Sequence, residues 1–236
     1  MSHGATAKDR ADFGPKALPA LRRAAEDLRE FLGRGYAMNE SLGFVGNHFK
    51  LTSRQRQFLF RCVSPPAEAA ARRARRIAPA ALAGEPVVVD GYNCLIITET
   101  CVAGGIVLLS DDGALRDVQG VYGTYRITRQ TRTSLELLTA VLAAARPARV
   151  EVWLDERMRY AHRVAADWQA MLAAAAIAGT VSTAENADRQ LRSQAAHAVL
   201  ASSDRENIDA AARWVDLPRA VASRDGQVRI VDLSVA

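Results

Sequence analysis

The sequence has few of the residues that form disulfide frameworks and zinc sites. Its 236 residues include three cysteines and four histidines. The cysteines are Cys62, Cys94 and Cys101. Their number is odd and no two of them form a Cys-x-x-Cys pair, so neither a disulfide framework nor a zinc site is indicated. His48, His162 and His197 are scattered along the chain, and we interpret them as surface or packing residues rather than metal ligands.

Long apolar segments are also missing. No run of eighteen apolar residues occurs, so neither a membrane-spanning helix nor a membrane partner is predicted. Residues 1–12 are polar and lack the apolar stretch of a signal peptide, which favours a cytoplasmic location. Apolar residues nevertheless make up 49% of the chain, which is enough for the core of one large domain or two small ones.

The positive charge is concentrated in the first third of the chain. Residues 1–84 contain 15 Lys and Arg against 7 Asp and Glu, whereas residues 85–236 contain 16 against 19. A basic segment of this kind suggests a polyanionic partner. A compositional bias toward Ala and Arg would give the same Arg-rich helices without any partner.

Residues 17–84 are predicted to form a small, basic, helical domain and a linker, after a disordered tail over residues 1–16. Apolar spacing and a capping box at Thr52 give the outline of a helix-turn-helix. The side chains suited to nucleic acid are Arg54, Gln55, Gln57 and Arg61 on the outer face of the last helix of this unit, and the later cluster Arg72, Arg73, Arg75 and Arg76. A packing role or a solvated helix face explains the same residues.

Strands and helices alternate over residues 85–236, which we assign to a second domain. Val87, Val88 and Val89 form a β-branched run of the kind found in buried parallel strands, and later apolar runs lead to Asp155 and Asp204. This alternation predicts a mostly parallel, doubly wound α/β sheet.

Carboxylates follow the predicted strands. Asp90, Asp155 and Asp204 each end a strand. Asp188 lies near the start of a helix on the same side of the sheet. In a parallel sheet these acids converge on the edge where ligands bind. Clustered carboxylates repel unless a cation neutralises them, and an oxygen-only ligand set suits Mg²⁺ or Mn²⁺. The alternative interpretation is that a strand-end Asp only caps the following helix.

Two further segments carry polar side chains. Residues 110–113 have the composition of a hairpin turn, and Asp111 and Asp112 either serve the turn or join the acidic site. The loop after the hairpin interleaves tyrosines with Arg126 and Arg129. This pattern suits base stacking and phosphate contact, and it also suits an ordinary ordered loop.

These motifs resemble the PIN-like nucleases, particularly their NYN branch. The motifs are Val-Val-Val-Asp90-Gly-Tyr-Asn93, Asp155 after Val-Glu-Val-Trp-Leu, Asn186-Ala187-Asp188 and Ser202-Ser203-Asp204, in the expected order. From about residue 18 onward, the chain also resembles an uncharacterised prokaryotic family that pairs a small helical domain with a PIN-like domain. That second resemblance is carried by Gly35-Tyr36, Val45-Gly46-Asn47 and Leu51-Thr52 with Arg54-Gln55-Arg56.

The resemblance implies a three-layer α/β/α PIN-like sheet, a Mg²⁺ or Mn²⁺ site, RNA or else DNA as the substrate, and a homodimer in many members. The metal ligands that it implies, directly or through water, are Asp90, Asp155, Asp188 and Asp204. Asn93 and Ser203 would orient water or phosphate. Because the third motif reads Glu185-Asn186-Ala187-Asp188, either Glu185 or Asp188 would be the working acid. The hairpin is not part of a minimal PIN core, so Asp112 would support the site or only form a turn.

Two functional hypotheses are supported and a third is disfavoured. The first is a metal-dependent endoribonuclease whose basic helical domain holds RNA over the acidic edge. The second is a nucleic-acid-binding protein with an inactive PIN-like domain, because a fold does not guarantee an activity. A phosphatase of the haloacid dehalogenase type is disfavoured, since that chemistry uses a second Asp two residues after the strand-end Asp, and Tyr92 stands there.

Overall fold

The computed structural model describes residues 6–117, 125–223 and 228–233, which contain eleven α-helices, one 3₁₀-helix (Pro79–Leu82) and eight strands. The helices are α1 (Ala7–Phe13), α2 (Leu18–Gly33), α3 (Met38–His48), α4 (Ser53–Cys62), α5 (Pro66–Arg75), α6 (Gly91–Val102), α7 (Arg129–Ala145), α8 (Ala161–Ala174), α9 (Ala187–Gln194), α10 (Arg205–Ala210) and α11 (Leu217–Ala222). The strands are β1 (Pro86–Asp90), β2 (Ile106–Leu109), β3 (Leu115–Asp117), β4 (Arg149–Asp155), β5 (Gly179–Ala184), β6 (Val199–Ala201), β7 (Trp214–Val215) and β8 (Arg229–Asp232). No helix in these ranges is long and apolar enough to cross a membrane.

Five strands form an all-parallel sheet in the order β5-β4-β1-β6-β7. The valines of the central strand β1 are buried on both faces. Val87 and Val89 pack with α6, α7, α8 and α11 on one face, whereas Val88 packs with α9 and α10 on the other. The predicted three-layer α/β/α architecture with a mostly parallel sheet is therefore confirmed.

The strand order reverses beside β1. The chain passes from β1 to β4 and then to β5 on one side, and returns to form β6 and β7 on the other side. Val89 pairs with Val152 of β4 and with Ala201 of β6, so the ends of these three strands lie next to one another. In open α/β sheets, the carboxyl edge at such a reversal is where ligands bind.

A second sheet has the order β3-β2-β8, with β2 antiparallel to β3 and parallel to β8. Ile106 and Leu108 of β2 and Val231 of β8 belong to one hydrophobic cluster with Phe58 and Leu59 of α4. The segment predicted as a helical domain over residues 17–84 therefore shares a core with strands from later in the chain.

The prediction of a disordered tail over residues 1–16 is wrong for Ala7–Phe13, which form α1. The Thr6 hydroxyl accepts a hydrogen bond from the Asp9 N–H at 3.1 Å, and the Asp9 carboxylate accepts from the Thr6 N–H at 2.7 Å. Phe13 is fully buried, with its ring edge-on to Phe58 at a centroid distance of 5.5 Å. The sequence did not predict this helix because residues 1–12 are polar and a single aromatic residue, Phe13, packs it against the core. Residues 1–5 lie outside the described ranges.

One carboxyl group is completely buried in α6. Glu99 Oε1 accepts hydrogen bonds from the hydroxyls of Tyr125, at 2.8 Å, and of Thr131. Burial raises the pKa of Glu99 to about 7, from an ordinary value near 4.5. The unfolded chain releases this proton at lower pH than the folded chain. The contribution of Glu99 to stability is therefore greatest at low pH and is lost as the pH rises from about 4.5 to about 7.

Replacing Glu99 by glutamine keeps the acceptor oxygen and removes the charge. At about pH 8 we expect Glu99→Gln to be more stable than the wild type by roughly 2 kcal/mol. The variant should also lack the decline in stability between about pH 5 and pH 7. Urea unfolding across this pH range measures both effects. Glu136→Gln, which alters an exposed carboxylate on α7, should keep the wild-type profile. Parallel profiles for Glu99→Gln and the wild type would show that Glu99 does not titrate as described.

Candidate active site

Four aspartates lie together at the carboxyl edge of the parallel sheet. Asp90 ends β1, Asp155 ends the neighbouring β4, and Asp204 follows β6 on the other side of β1. Asp188 lies in the first turn of α9. All four line one cavity of about 190 Å³, which we call the acidic cavity. The structure thus brings together the acids that the sequence suggested, at the edge expected for a parallel sheet.

Two of these aspartates also cap helices. Asp90 Oδ1 accepts a hydrogen bond from the Asn93 N–H at 3.4 Å, and Asp204 Oδ1 accepts from the Asn207 N–H at 3.1 Å. Asp90 Oδ2 accepts from the Ser202 hydroxyl at 2.8 Å. Asp90 and Asp204 therefore both cap a helix and line the acidic cavity, because the caps fix their carboxylates at the border of the cavity.

Sequence reasoning missed Asn207, which lies between two of the acids. Its Nδ2 donates to Asp188 Oδ1 at 2.9 Å and lies 3.4 Å from Asp90 Oδ2. The residue is buried, and its Oδ1 has no hydrogen-bond partner within the described ranges. The only signal in the sequence is its spacing of three residues from Asp204, which caps α10 through the Asn207 N–H.

The four carboxylates differ in how their charges are compensated. Burial raises the pKa of Asp90 to about 7, and the neighbouring charges of Asp188 and Asp204 act in the same direction. Arg157 donates to the two oxygens of Asp155, at 2.9 and 2.6 Å, and these hydrogen bonds lower the pKa of Asp155. The negative charge without a salt-bridge partner in the described ranges is therefore that of Asp90, Asp188 and Asp204.

Two of the predicted supporting acids lie outside the acidic cavity. Glu185 is exposed just before α9, so Asp188 is the acid of this motif that lines the cavity. Asp112 is fully buried, forms a salt bridge with Arg116 at 2.8 Å and accepts from the Ala114 N–H at 3.1 Å. Asp112 therefore serves the hairpin turn and an ion pair, and the suggestion that it joins the acidic site is wrong.

Asn93 links α6 to the loop after β6. Its Oδ1 accepts from the N–H of Ser203 at 2.9 Å and from the Ser203 hydroxyl at 3.0 Å. The Ser203 carbonyl in turn accepts from Arg116 Nε at 2.8 Å. These bonds position the loop that carries Asp204. The role of Asn93 and Ser203 in orienting water or phosphate stays a prediction.

A second cavity of about 350 Å³ adjoins the acidic cavity and includes residues of α4. The two cavities share Arg61, Asn93, Asp117 and Asp204. Arg61 Nη1 donates to Asp117 Oδ1 at 2.9 Å. The side chain of Phe60 is 41% exposed, and the guanidinium of Arg205 lies 5.3 Å from its ring centroid. Helix α4 thus places a cation and an aromatic ring beside the acids. Of its residues that line the second cavity, sequence reasoning identified Gln57 and Arg61 but not Phe60.

Three other predicted nucleic-acid contacts have structural partners instead. Gln55 is buried because its capping box turns it inward, where Nε2 donates to the Asp12 carbonyl at 2.8 Å. The prediction that Gln55 lies on the outer face of the helix is therefore wrong. Arg54 forms a salt bridge with Asp12 at 3.2 Å, and Arg72 is buried against Asp209 at 2.7 Å.

Three more of the predicted basic contacts are exposed and do not line the acidic cavity. Arg73, Arg126 and Arg129 are solvent-exposed, and none of them lines that cavity. Arg126 instead borders a separate, open cavity with Arg159 and Arg163. The structure therefore does not bring these three residues into the candidate site.

The side chains of the acidic cavity match the ligand preference of a hard divalent cation. Asp90, Asp188 and Asp204 offer carboxylate oxygens, and neither His nor Cys lines the cavity. Burial, and then the charges of Asp188 and Asp204, raise the pKa of Asp90, and a bound cation would favour its ionised form. Among the described residues, however, no three His, Cys, Asp or Glu side chains form a ready-made metal-binding group.

Gly91 lets the first turn of α6 lie against β4. A Cβ at this position would meet Leu154 Cδ2 at 2.6 Å and the Trp153 carbonyl oxygen at 2.8 Å. We expect Gly91→Ala to destabilise the protein by roughly 1–3 kcal/mol and to shift Asp90 away from β4. Urea unfolding measures the loss. Gly43→Ala is the matched control, because a Cβ there meets nothing within 4 Å. If both variants unfold at the same urea concentration, the close contact with β4 is not present in solution.

Fold and site together define an α/β protein with a cluster of acidic side chains at the carboxyl edge of a parallel sheet. The chain belongs to the family described as domain of unknown function (DUF5616), whose model matches residues 79–220. A second model, described as protein of unknown function (DUF434), matches residues 20–75. Uncharacterized protein MJ0935 of Methanocaldococcus jannaschii is 28% identical over 185 residues, which cover 78% of this chain and 87% of the relative. No solved structure matches the chain significantly.

Proposed function

We propose that this protein is a metal-dependent endoribonuclease of the PIN-like type, which hydrolyses phosphodiester bonds of RNA. The observation that carries the proposal is the gathering of Asp90, Asp188 and Asp204 around one cavity at the reversal of a parallel sheet. Ligands bind at this position in open α/β sheets, and clustered carboxylates hold divalent cations in phosphoryl-transfer sites. The proposal includes Mg²⁺ or Mn²⁺ as cofactor and the cytoplasmic location expected from the sequence.

Each acidic side chain receives a role in this proposal. Asp90, Asp188 and Asp204 would hold the cation, which when bound would polarise the phosphate and lower the pKa of a water molecule. Asn207 holds the carboxylates of Asp90 and Asp188 relative to each other through its amide. Asp155 lies at the side of the same cavity, where it would contribute through a bound water.

The residues of α4 supply the contacts to the nucleic acid. Arg61 lies at the border shared by the two cavities, where its guanidinium would contact a phosphate. The exposed Phe60 ring in the adjoining cavity would stack against a base. Arg205 packs over the same ring and would add positive charge along the strand. In this proposal, the basic first third of the chain contacts the nucleic acid beside the acidic cavity.

The proposal is tested by incubating labelled RNA and DNA strands with the full-length protein and Mn²⁺, Mg²⁺ or EDTA. We expect RNA to be cut when a metal ion is present and to stay intact with EDTA. Cleavage that continues in excess EDTA would overturn the metal requirement. The absence of cleavage with every strand and metal ion would overturn the nuclease proposal itself.

One observation favours the second candidate, a nucleic-acid-binding protein whose PIN-like domain is inactive. The Asn207 amide nitrogen lies 3.4 Å from Asp90 Oδ2 and 2.9 Å from Asp188 Oδ1, so these two carboxylates already share a hydrogen-bond donor. Calorimetric titration with Mn²⁺ separates the two candidates. Binding that disappears in Asp90→Asn supports the nuclease, whereas negligible binding together with salt-sensitive RNA binding supports the inactive domain.

A further inference from the structure

A cluster of arginines surrounds the hairpin between β2 and β3. Arg76 Nη1 and Arg219 Nη1 both donate to the carbonyl oxygen of Gly113, each at 2.7 Å. Arg73 donates to the carbonyl of Asp111 in the same turn. We call Arg73, Arg76 and Arg219 the arginine cluster. It brings three guanidinium groups from α5, the segment after it and α11 to one turn of the backbone.

Three carboxylate residues line the cavities at the cluster, namely Asp111, Asp216 and Asp232. Asp111 forms a salt bridge with Arg29 at 2.7 Å. Asp216 accepts hydrogen bonds from two backbone N–H groups, those of Leu115 at 2.7 Å and of Arg219 at 2.8 Å. Within the described ranges, no member of the arginine cluster forms a salt bridge. The hydrogen-bond acceptors of Arg73, Arg76 and Arg219 are neutral carbonyl groups. Burial and the neighbouring charge of Arg219 lower the pKa of Arg76 although Asp216 and Asp112 act in the opposite direction, so the nearby carboxylates compensate the charge of the cluster only in part.

Gly113 makes this close approach possible. Its φ is +83°, a left-handed value that favours glycine. A Cβ at this position would lie 2.6 Å from Arg76 Nη1 and 3.8 Å from Arg219 Nη1. The turn therefore leaves room for two guanidinium groups at the place where a side chain would otherwise stand.

Two cavities meet at the cluster. One, of about 430 Å³, is lined by all three arginines of the cluster, by Arg29 and by the carboxylate residues Asp111 and Asp232. The other, of about 570 Å³, includes Arg76 and Arg219 and is otherwise lined largely by apolar groups. Its apolar lining residues are Ile77, Ala78, Pro79, Ala80, Val141, Ala144, Ala145 and Ala220. Neither cavity shares a lining residue with the acidic cavity.

We propose that the arginine cluster binds the phosphate of a nucleoside monophosphate, whose base enters the adjacent apolar cavity. A phosphate dianion would accept charge-assisted hydrogen bonds from several guanidinium groups and relieve their mutual repulsion. The apolar cavity is within the size range of small-molecule pockets, and it supplies the surface that a base would bury. This site is separate from the proposed nuclease site and does not depend on it.

Calorimetric titration of the full-length protein with adenosine monophosphate, adenosine or inorganic phosphate tests the proposal. EDTA is kept in the buffer so that metal-bound nucleotide does not contribute. We expect the monophosphate to bind at least about 10-fold more tightly than either fragment. Arg76→Gln and Arg219→Gln should each weaken its binding by about 10-fold or more, because each removes a charged donor.

Arg132→Gln, which alters an exposed arginine on α7, should bind like the wild type. Arg73→Gln alters an exposed side chain and serves as the third variant if the other two fail to fold. Equal affinity for adenosine and its monophosphate would overturn the role of the cluster. Equal affinity for phosphate and the monophosphate would overturn the role of the apolar cavity. Unchanged binding in the folded cluster variants, or no binding at all, would overturn the site.

Discussion

Replacing Asp90 by asparagine should lower the rate of RNA cleavage by about 100-fold or more, the size of loss seen when one charge-stabilising group is removed from an active site. Asp90 is the acid at the centre of the site, since its pKa responds to burial and to the charges of both Asp188 and Asp204. The substitution keeps an oxygen that can accept from the Asn93 N–H, so the helix cap is preserved. We therefore expect the substitution to remove a charge from the acidic cavity without unfolding the protein.

Cleavage rates measured at saturating Mn²⁺, with unfolding curves for each protein, would check this result. Asp188→Asn should show a comparable loss, whereas Glu185→Gln should retain most of the activity, because Glu185 does not line the cavity. Asp167→Asn, which alters an exposed acid on α8, is the control for a change of charge alone. Wild-type rates in both Asp90→Asn and Asp188→Asn would place the chemistry elsewhere. A large loss of cleavage activity in Glu185→Gln would indicate that Glu185 has the role proposed for Asp188.

The parallel sheet could be predicted because its signals are local. Three consecutive valines require burial on both faces, and the structure provides it with helices on either side of β1. The positions of Asp90, Asp155 and Asp204 follow from the same pattern. Once the strands are parallel, their last residues lie at one edge whatever the connecting segments do. The three-layer architecture and the proximity of the acids could therefore be predicted from the sequence.

The rest of the site depends on contacts between distant segments. Asn207 reaches Asp188 and Asp90 only because α10 and α9 pack on the same face of the sheet. Phe60 borders the site because α4 shares a core with the second sheet, and no periodicity in the sequence encodes that docking. Gln55 had the right chemistry for an outer face, but its capping box turned it inward. Sequence patterns indicated which side chains are polar, and tertiary packing decided which of them meet.

The two aspartates of the hairpin also have partners that the sequence could not predict. Asp111 and Asp112 have identical side chains at adjacent positions, and both were candidates for turn chemistry alone. In the structure Asp111 pairs with Arg29 of α2, whereas Asp112 pairs with Arg116 of β3. The Arg116 guanidinium also donates to the Ser203 carbonyl. A buried ion pair therefore connects the hairpin to the loop that carries Asp204.

Removing that carboxylate should have the largest effect on stability. We expect Asp112→Ala to reduce the free energy of unfolding by about 3–5 kcal/mol, because it leaves the Arg116 guanidinium buried without its anionic partner. Asp112 is fully buried, and the side chain of Arg116 is only 8% exposed. Urea unfolding measures the loss, and Glu136→Ala, which removes an exposed partner of Arg132, should cost about 0.5 kcal/mol or less.

The double variant Asp112→Leu, Arg116→Leu separates the loss of the pair from the cost of an unpaired charge. Because it removes both charges, it should be more stable than Asp112→Ala, although the Ser203 carbonyl then loses its Arg116 donor. If Asp112→Ala lowers the free energy of unfolding by less than about 1 kcal/mol, the Arg116 guanidinium must be hydrated or have another partner. In that case the ion pair could not be what fixes the Ser203 loop, and the position of Asp204 would rest on its own helix cap, on Asn93 and on the Ser202 hydroxyl.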